Sequence, residues 1–244
     1  MSAPASGGMP ATVLVRGLER RFGNTTVLDR LDLSVGAGEF VALLGRSGSG
    51  KTTLLRTLTG LDPVQTGEVR VPAAQAVVFQ ESRLLPWKRV WENVALGLEG
   101  ADARGRAEVA LEEVGLGHRL AAWPLTLSGG EAQRAGIARA LVREPSFLML
   151  DEPFASLDAL TRLRMQDMVG ALWRRHRCAV LLVTHDVDEA LLLADRAVVL
   201  DKGRIRASFP IALPRPRRHA DPDFARLRAA LLDALDVRAV DQAA

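Results

Sequence analysis

The segment that most constrains the fold of this chain runs from Gly45 to Thr52 and reads GRSGSGKT. It fits the pattern G-x-x-x-x-G-K-[ST], in which glycines let the backbone approach phosphate groups without a Cβ clash. An apolar run at 40–44 precedes it, and a helical pattern at 53–58 follows it. A buried strand, a glycine-rich loop and a helix in this order predict a nucleotide-phosphate site at the free N–H groups of the helix.

The side chains of the loop complete this prediction. Lys51 can neutralise the β- and γ-phosphates, and the Thr52 hydroxyl is placed to ligate Mg²⁺. The residues expected to bind nucleotide through the loop are Gly45, Arg46, Ser47, Gly48, Ser49, Gly50, Lys51, Thr52 and Thr53.

Composition limits the class of protein. A chain of 244 residues, 48% hydrophobic and 25% charged, is long enough for one large domain or two packed lobes. No apolar run reaches the length of about eighteen residues that spans a bilayer, and the segment 1–10 lacks the basic start of a signal peptide. Cys178 is the single cysteine, which fits a reducing compartment. We therefore expect a cytoplasmic protein that spans no membrane by itself, and the net charge of only +3 gives little reason to expect nucleic-acid binding.

Hydrophobic periodicity predicts an α/β fold with a mostly parallel sheet. Continuous apolar runs at 146–150 and 179–183, with helical patterns between and after them, are typical of βαβ units. Alternating residues at 12–18 and 27–35 predict an antiparallel β element at the N-terminus. A last strand is expected at 197–200.

The same pattern predicts the domain boundaries. We expect a flexible lead-in over 1–11, a nucleotide-binding domain over 12–206 and a tail over 207–244 that carries an amphipathic helix. Helical periodicity dominates residues 89–142 and predicts a helical subdomain inserted into the sheet.

Polar side chains follow three of the predicted strands. Asp151 and Glu152 come at the end of a buried strand, His185 follows the next strand along the chain, and Gln80 follows an earlier one. In open α/β sheets ligands bind at the carboxyl edge. In ATP hydrolysis Asp151 is suited to hold Mg²⁺, and Glu152 is suited to activate the attacking water. His185 could contact the γ-phosphate, and Gln80 could contact both the metal and the water.

A second helix start can bind an anion. Ser128 is a good N-cap, Gly129 and Gly130 leave backbone amides bare, and Glu131 completes a capping box. Closure on the γ-phosphate of another subunit and simple helix capping are both compatible with this local pattern.

The order of these motifs resembles the nucleotide-binding subunit of an ABC transporter. The resemblance covers about 12–206 and includes the loop at Gly45, Gln80, the LSGGE run at 127–131, the LMLDE run at 148–152, the SLD run at 156–158 and His185. It implies a head-to-tail homodimer with two ATP molecules at its interface, on the cytoplasmic face of the membrane. Each ATP would meet Lys51, Thr52, Gln80, Asp151, Glu152 and His185 of one subunit and Ser128, Gly129 and Gly130 of the other, with Asp158 on the loop that links the two sites.

Two departures from the family pattern stand out. Glu131 occupies a position that is commonly Gln in the family, and the adenine-stacking aromatic, often Tyr, is Phe22 in a chain without any Tyr. Phe22 keeps the aromatic face and lacks only the hydroxyl. Neither change leads us to expect an inactive site.

The segment after Gln80 resembles importers of the nitrate, sulfonate and taurine group. It contains the run LLPW at 84–87, and in the family this region receives a membrane permease; packing within the subdomain is the alternative role for Trp87. We expect uptake of aliphatic sulfonates, with taurine or nitrate as the alternatives and an external binding protein as an indirect partner. A soluble ABC-type ATPase acting on nucleic acid is the rival class. The PRPRR run at 214–218 is either a solvated tail or a contact with anionic lipid.

Overall fold

The computed structural model describes residues 11–236 and contains two sheets. The first has three antiparallel strands in the order β2-β1-β4: β1 (Ala11–Phe22), β2 (Thr25–Gly36) and β4 (Thr66–Arg70). The second has six strands in the order β5-β6-β7-β3-β8-β9: β3 (Phe40–Leu44), β5 (Gln75–Val78), β6 (Phe147–Asp151), β7 (Ala179–Thr184), β8 (Arg196–Asp201) and β9 (Arg204–Pro210). The first five of these six are parallel and β9 is antiparallel, which confirms the predicted fold class.

Seven helices accompany the sheets in the described part of the chain. They are α1 (Lys51–Leu58), α2 (Val90–Val94), α3 (Ala103–Glu113), α4 (Gly129–Leu141), α5 (Ala159–His176), α6 (Val187–Leu193) and α7 (Pro222–Ala234). Between β5 and β6 the regular structure consists of α2, α3, α4 and two short 3-10 turns, at Gly117–Arg119 and Pro124–Thr126. None of the helices within residues 11–236 combines the length and apolar character that a bilayer crossing requires.

The parallel sheet separates two apolar cores. In β3 every residue is buried, and successive side chains alternate between the cores because strand side chains point to opposite faces. Phe40, Ala42 and Leu44 pack with the helices, whereas Val41 and Leu43 pack against the antiparallel sheet and α1. This double burial explains the continuous apolar runs in the sequence, and it holds the carboxyl ends of the strands rigidly in place.

The expectation that residues 197–200 form the last strand is wrong. The chain turns back at Lys202 and Gly203, which both have positive φ (46° and 78°), and continues as β9 paired antiparallel with β8. Two successive residues with positive φ match the tight turns that suit the twist of a hairpin. Exposed and half-buried residues alternate along β9 with the period of two that a strand has. β9 lies at the edge of the sheet.

The arginine-rich tail is not a freely solvated segment. Arg217 donates hydrogen bonds to the carbonyls of Leu191 and Ala194 at the end of α6, at 2.7 and 2.6 Å. Arg215 donates to Asp195 at 2.8 Å and covers the ring of Trp173. Both guanidinium groups therefore fasten the tail to the helical face of the sheet, which leaves them unavailable for lipid. The predicted lead-in over 1–11, except Ala11, and residues 237–244 of the tail lie outside the described residues.

Candidate functional site

Three neighbouring strands bring the predicted catalytic segments together. Strand β7 lies between β6 and β3, with Asp151 level with Val183 and Leu44 level with Thr184. The glycine-rich loop leaves β3, the two carboxylates end β6, and His185 follows β7. Because parallel strands end at one edge, the sheet places all three segments side by side.

The loop between β3 and α1 requires glycine for steric reasons. Gly50 has φ 109°, and a Cβ there would lie 2.9 Å from the Leu28 side chain. A Cβ on Gly45 would lie 2.5 Å from the carbonyl of Leu200. Gly50 caps α1 without a side-chain hydrogen bond, so the first N–H groups of the helix stay open to an anion.

Lys51 folds back over this loop. Its Nζ donates to the carbonyls of Gly45 at 2.6 Å and Arg46 at 3.0 Å, and the residue is only 8% exposed. Burial lowers the pKa of the ammonium group, and the charges of Glu152 and Asp151 act in the opposite direction. The cation is thus held at the loop, beside the two carboxylates.

The carboxylate pair has a strained and crowded geometry. Glu152 has φ 44°, an uncommon value outside glycine, and its Oε2 lies 3.3 Å from Nδ1 of His185. Burial raises the pKa of Asp151, and the negative charge of Glu152 raises it further. Backbone strain of this kind clusters at functional sites, where the surrounding fold holds it.

A cavity of about 710 Å³ unites much of the predicted site. Its predicted members are Ser47, Gly48, Gly50, Lys51, Thr52, Thr53, Asp151, Glu152 and His185. Val27 and Val183 complete the lining and add apolar surface. Residues of the glycine-rich loop, a lysine, two carboxylates and a histidine thus line one space, which is the set of groups that ATP hydrolysis needs.

Other predicted site residues do not line this cavity. Phe22 lies at the end of β1, half exposed, with the guanidinium of Arg20 at 4.9 Å from its ring centroid. Gln80 is exposed just after β5. Asp158 caps α5 by accepting a hydrogen bond from the Thr161 amide at 3.0 Å. Gly45, Arg46 and Ser49 belong to the loop but not to the cavity wall.

The LSGGE segment also lies outside the cavity and forms the start of α4. Ser128 accepts a hydrogen bond from the Glu131 amide at 3.3 Å, and Glu131 accepts one from the Ser128 amide at 2.8 Å, so the predicted capping box is present. Ser128 and Gly129 are exposed, whereas Gly130 is buried. Neither Ser128 nor Gly129 lines the cavity at the chain's own phosphate loop.

Helix α4 also holds the segment that carries Gln80. Gln133 donates to the carbonyl of Phe79 at 3.0 Å. Arg139 donates to the carbonyls of Ser82 at 2.6 Å and Arg83 at 2.9 Å. Hydrogen bonds from α4 therefore hold the chain on both sides of Gln80, although the two segments are far apart in sequence.

Sequence reasoning missed a buried pair behind His185. Thr184 donates a hydrogen bond of 2.6 Å to Glu189, which is 4% exposed. Asp186 caps α6, and its amide donates to the Thr184 hydroxyl at 3.0 Å. The available signal was the spacing of Asp186 and Glu189, an acidic cap followed three residues later by a glutamate. These contacts fix the backbone on both sides of His185.

An exposed apolar surface lies on two adjacent loops of the helical region. Trp87 is 70% exposed, so packing within the subdomain does not account for it. Leu125 is 86% and Trp123 42% exposed. Backbone hydrogen bonds from Val90 to Ala122 and from Trp91 to Leu120 hold the two loops together.

Comparison with known proteins places this geometry in a family. Residues 28–155 match the family described as ABC transporter. The chain is 65% identical over 237 residues to the aliphatic sulfonates import ATP-binding protein SsuB 1 of Pseudomonas fluorescens, covering 97% of this chain and 92% of the relative. It is 64% identical over 228 residues to the aliphatic sulfonates import ATP-binding protein SsuB 2 of Paracoccus denitrificans, covering 93% of each.

Solved structures agree with this placement. The dimeric structure of a post-hydrolysis state of the ATP-binding cassette MJ0796, bound to ADP and Pi, is 28% identical with a TM-score of 0.73, covering 83% of this chain and all of that one. The structure of cbiO1 from Clostridium perfringens, part of the ABC transporter complex cbiONQ, is 24% identical with a TM-score of 0.76, covering 82% of this chain and 89% of that one, and supports the fold. The order of motifs, the shared cavity and these similarities lead to one conclusion: the chain belongs to the ABC transporter family of ATP-binding proteins.

Proposed function

We propose that this chain is the ATP-hydrolysing subunit of an importer for aliphatic sulfonates. The observation that carries the ATPase assignment is that Lys51, Glu152 and His185 line one cavity with the phosphate loop. The sulfonate assignment rests on the high identity to proteins that carry this name.

The geometry supports a direct division of labour in hydrolysis. Lys51 and the loop amides bind the phosphates, and water attacks the γ-phosphorus as the bond to the ADP oxygen breaks. Glu152 takes the proton of the attacking water. His185, at 3.3 Å from Glu152, orients this carboxylate and reaches toward the γ-phosphate. Gln80 would contribute from the loop that Gln133 of α4 holds through the carbonyl of Phe79.

The residues present fit a bound Mg²⁺. The Thr52 hydroxyl and the Asp151 carboxylate line the same cavity and are oxygen donors of the kind that Mg²⁺ prefers. Burial and, to a smaller extent, the negative charge of Glu152 raise the pKa of Asp151, and a bound cation would favour its ionised form. When bound, the ion would neutralise charge on the phosphates; Thr52, Asp151 and Gln80 are the residues proposed to hold it.

A head-to-tail homodimer would complete the site. Ser128 and Gly129 are exposed and do not belong to the chain's own cavity lining. In the proposed dimer the start of α4 in one subunit closes on the γ-phosphate held by the other, as helix N-termini do with anions. Phe22 stacks on adenine, and Asp158 lies at the interface between the two sites.

The exposed apolar surface around Trp87 is proposed to receive the membrane permease. Exposed aromatic residues are enriched at protein interfaces. Substituting Trp87 with Glu is expected to abolish binding to the permease and leave ATP binding unchanged. Retention of the complex would contradict this assignment, and Val109→Glu, at an exposed apolar position on α3, is the control.

The rate of ATP hydrolysis by a Glu152→Gln variant tests the ATPase assignment. The substitution should reduce hydrolysis by roughly 10²- to 10⁴-fold, as removal of a general base does, without weakening ATP binding. Equal and negligible turnover in wild type and variant would instead indicate a nucleotide sensor.

The cargo is tested with the assembled complex of this chain, permease and binding protein. Alkanesulfonates delivered by the binding protein should accelerate hydrolysis. Acceleration by taurine or nitrate alone would overturn the cargo assignment. Acceleration by RNA without any membrane partner would favour the rival class of soluble ATPase.

A further inference from the structure

The first turn of α4 carries a charge that is unfavourable for its proposed task. Glu131 stands where the family commonly has a neutral side chain, and its Oε2 lies 2.8 Å from the Ser128 amide. A carboxylate at this point offsets the positive end of the helix dipole and repels an approaching triphosphate. The chain therefore needs a counter-charge at the same place if the turn is to bind phosphate.

Arg119 supplies this counter-charge. It lies in the 3-10 turn at Gly117–Arg119, twelve residues before Glu131. Its Nε donates to Oε1 of Glu131 at 2.8 Å and its Nη2 to Oε2 at 3.3 Å, a two-pronged pair. The side chains are 36% and 14% exposed, so the contact lies near the protein surface.

The carboxylate is ionised at any physiological pH. The hydrogen bonds from Arg119 and from the Ser128 amide lower the pKa of Glu131 to about 2. Protonation therefore does not remove the negative charge, and the Arg119 guanidinium is the cation that hydrogen-bonds to it. Arg134 lies beside Gly130 on the same turn, but no ion pair joins it to Glu131 in the described residues.

We infer that Arg119 is a positioning residue of the composite ATP site: it neutralises Glu131 and holds it on the Ser128 amide, so that the LSGGE turn attracts the γ-phosphate of the partner subunit. This inference rests on the proposed head-to-tail dimer. It predicts that the carboxylate harms ATP-driven pairing only when Arg119 is absent.

The test is a double-mutant cycle in a Glu152→Gln background, in which slow hydrolysis lets the ATP-bound dimer accumulate. Dimer formation is followed by light scattering as MgATP is raised. Arg119→Met should require roughly tenfold more ATP for half-maximal pairing, because the carboxylate is then uncompensated. Adding Glu131→Gln should restore pairing to within roughly threefold, and Glu131→Gln alone should pair as well as its parent or better.

Further variants separate an electrostatic effect from a folding defect. Arg119→Lys keeps the charge and should recover much of the lost pairing. High salt should reduce the difference in the ATP concentration that Arg119→Met and its parent need for half-maximal pairing. ADP binding by the monomer should be equal in all variants. Arg104→Met breaks an exposed Arg–Glu pair of the same length, 2.8 Å, on α3 and should leave pairing unchanged.

The outcomes are distinct. If Arg119→Met pairs like its parent, or if Glu131→Gln fails to rescue it, the inference is wrong while the proposed dimer stands. If the Glu152→Gln parent binds ATP but stays monomeric at saturation, the proposed dimer itself is wrong, and this inference falls with it.

Discussion

Glu189 allows a quantitative prediction, because its shifted pKa should make the free energy of unfolding depend on pH. Burial raises the pKa of its carboxyl group to about 7 from an ordinary value of 4.5, against the opposing effect of the Thr184 hydrogen bond. In the unfolded chain the group ionises near 4.5, whereas in the folded protein it keeps its proton up to about 7. Stability should therefore fall as pH rises through this window.

The size of the effect follows from the two pKa values. Their difference of about 2.5, at about 1.4 kcal/mol per pH unit, corresponds to a loss of about 3 kcal/mol between pH 4.5 and pH 8. Glu189→Gln removes the titration but keeps an oxygen that accepts the hydrogen bond from Thr184. The variant should thus lack this contribution, and its stability relative to wild type should increase by about 3 kcal/mol across the window.

The assay is urea unfolding at closely spaced pH values from 4.5 to 8. The difference between the unfolding free energies of variant and wild type isolates Glu189 from the other titrating groups. Glu112→Gln, at an exposed position on α3, is the matched control and should show the pH dependence of wild type. A constant difference between Glu189→Gln and wild type over the whole range would refute the reasoning.

Lys51→Met should weaken ATP binding by roughly 10- to 100-fold, because a charge-assisted hydrogen bond contributes about 1.5–3 kcal/mol; unchanged affinity in titration calorimetry would contradict the role given to Lys51. Phe22→Ala should raise the Kd for ATP by roughly three- to tenfold and Phe22→Trp should not, since stacking on an aromatic face contributes about 0.5–1.5 kcal/mol. Arg217→Met should cost about 2–3 kcal/mol and lower the Tm by roughly 5–10 °C, because carbonyls at the end of α6 lose their donor. Arg218→Met, at an exposed position, should leave the Tm unchanged, and equal values for the two arginine variants would refute the assignment.

Local patterns made the parallel sheet and its carboxyl edge predictable. The apolar run of β3 and the glycine-rich loop specify one strand–loop–helix unit, and the runs of β6 and β7 specify the strands beside it. Their adjacency, with Asp151 level with Val183, then follows from the rules of parallel sheets. The hairpin between β8 and β9 was harder to predict. Lys202-Gly203 indicates a turn, but it does not show that the chain continues as an edge strand.

Pairings between distant residues were beyond the reach of local patterns. Glu131 was recognised as a departure from the family pattern, but its partner Arg119 lies in another turn of the helical region. Likewise, the burial of Glu189 depends on how α6 packs, which a three-residue spacing does not determine. The sequence therefore indicated which charged residues to consider. Their ionisation states and their partners could be determined only from the three-dimensional structure.

The tail arginines show why composition misleads at such points. A run of prolines and arginines is typical of a solvated segment, yet a helix leaves its last carbonyls without partners inside the helix. Arg217 meets this need at α6 by donating to Leu191 and Ala194, and Arg215 does so by donating to Leu193 at 2.7 Å. Both side chains therefore bind carbonyls at the end of the same helix, and Pro216 between them is exposed. The demand for donors comes from a helix some twenty residues earlier, so basic tails are better judged against the unpaired carbonyls of preceding helices than against their own composition.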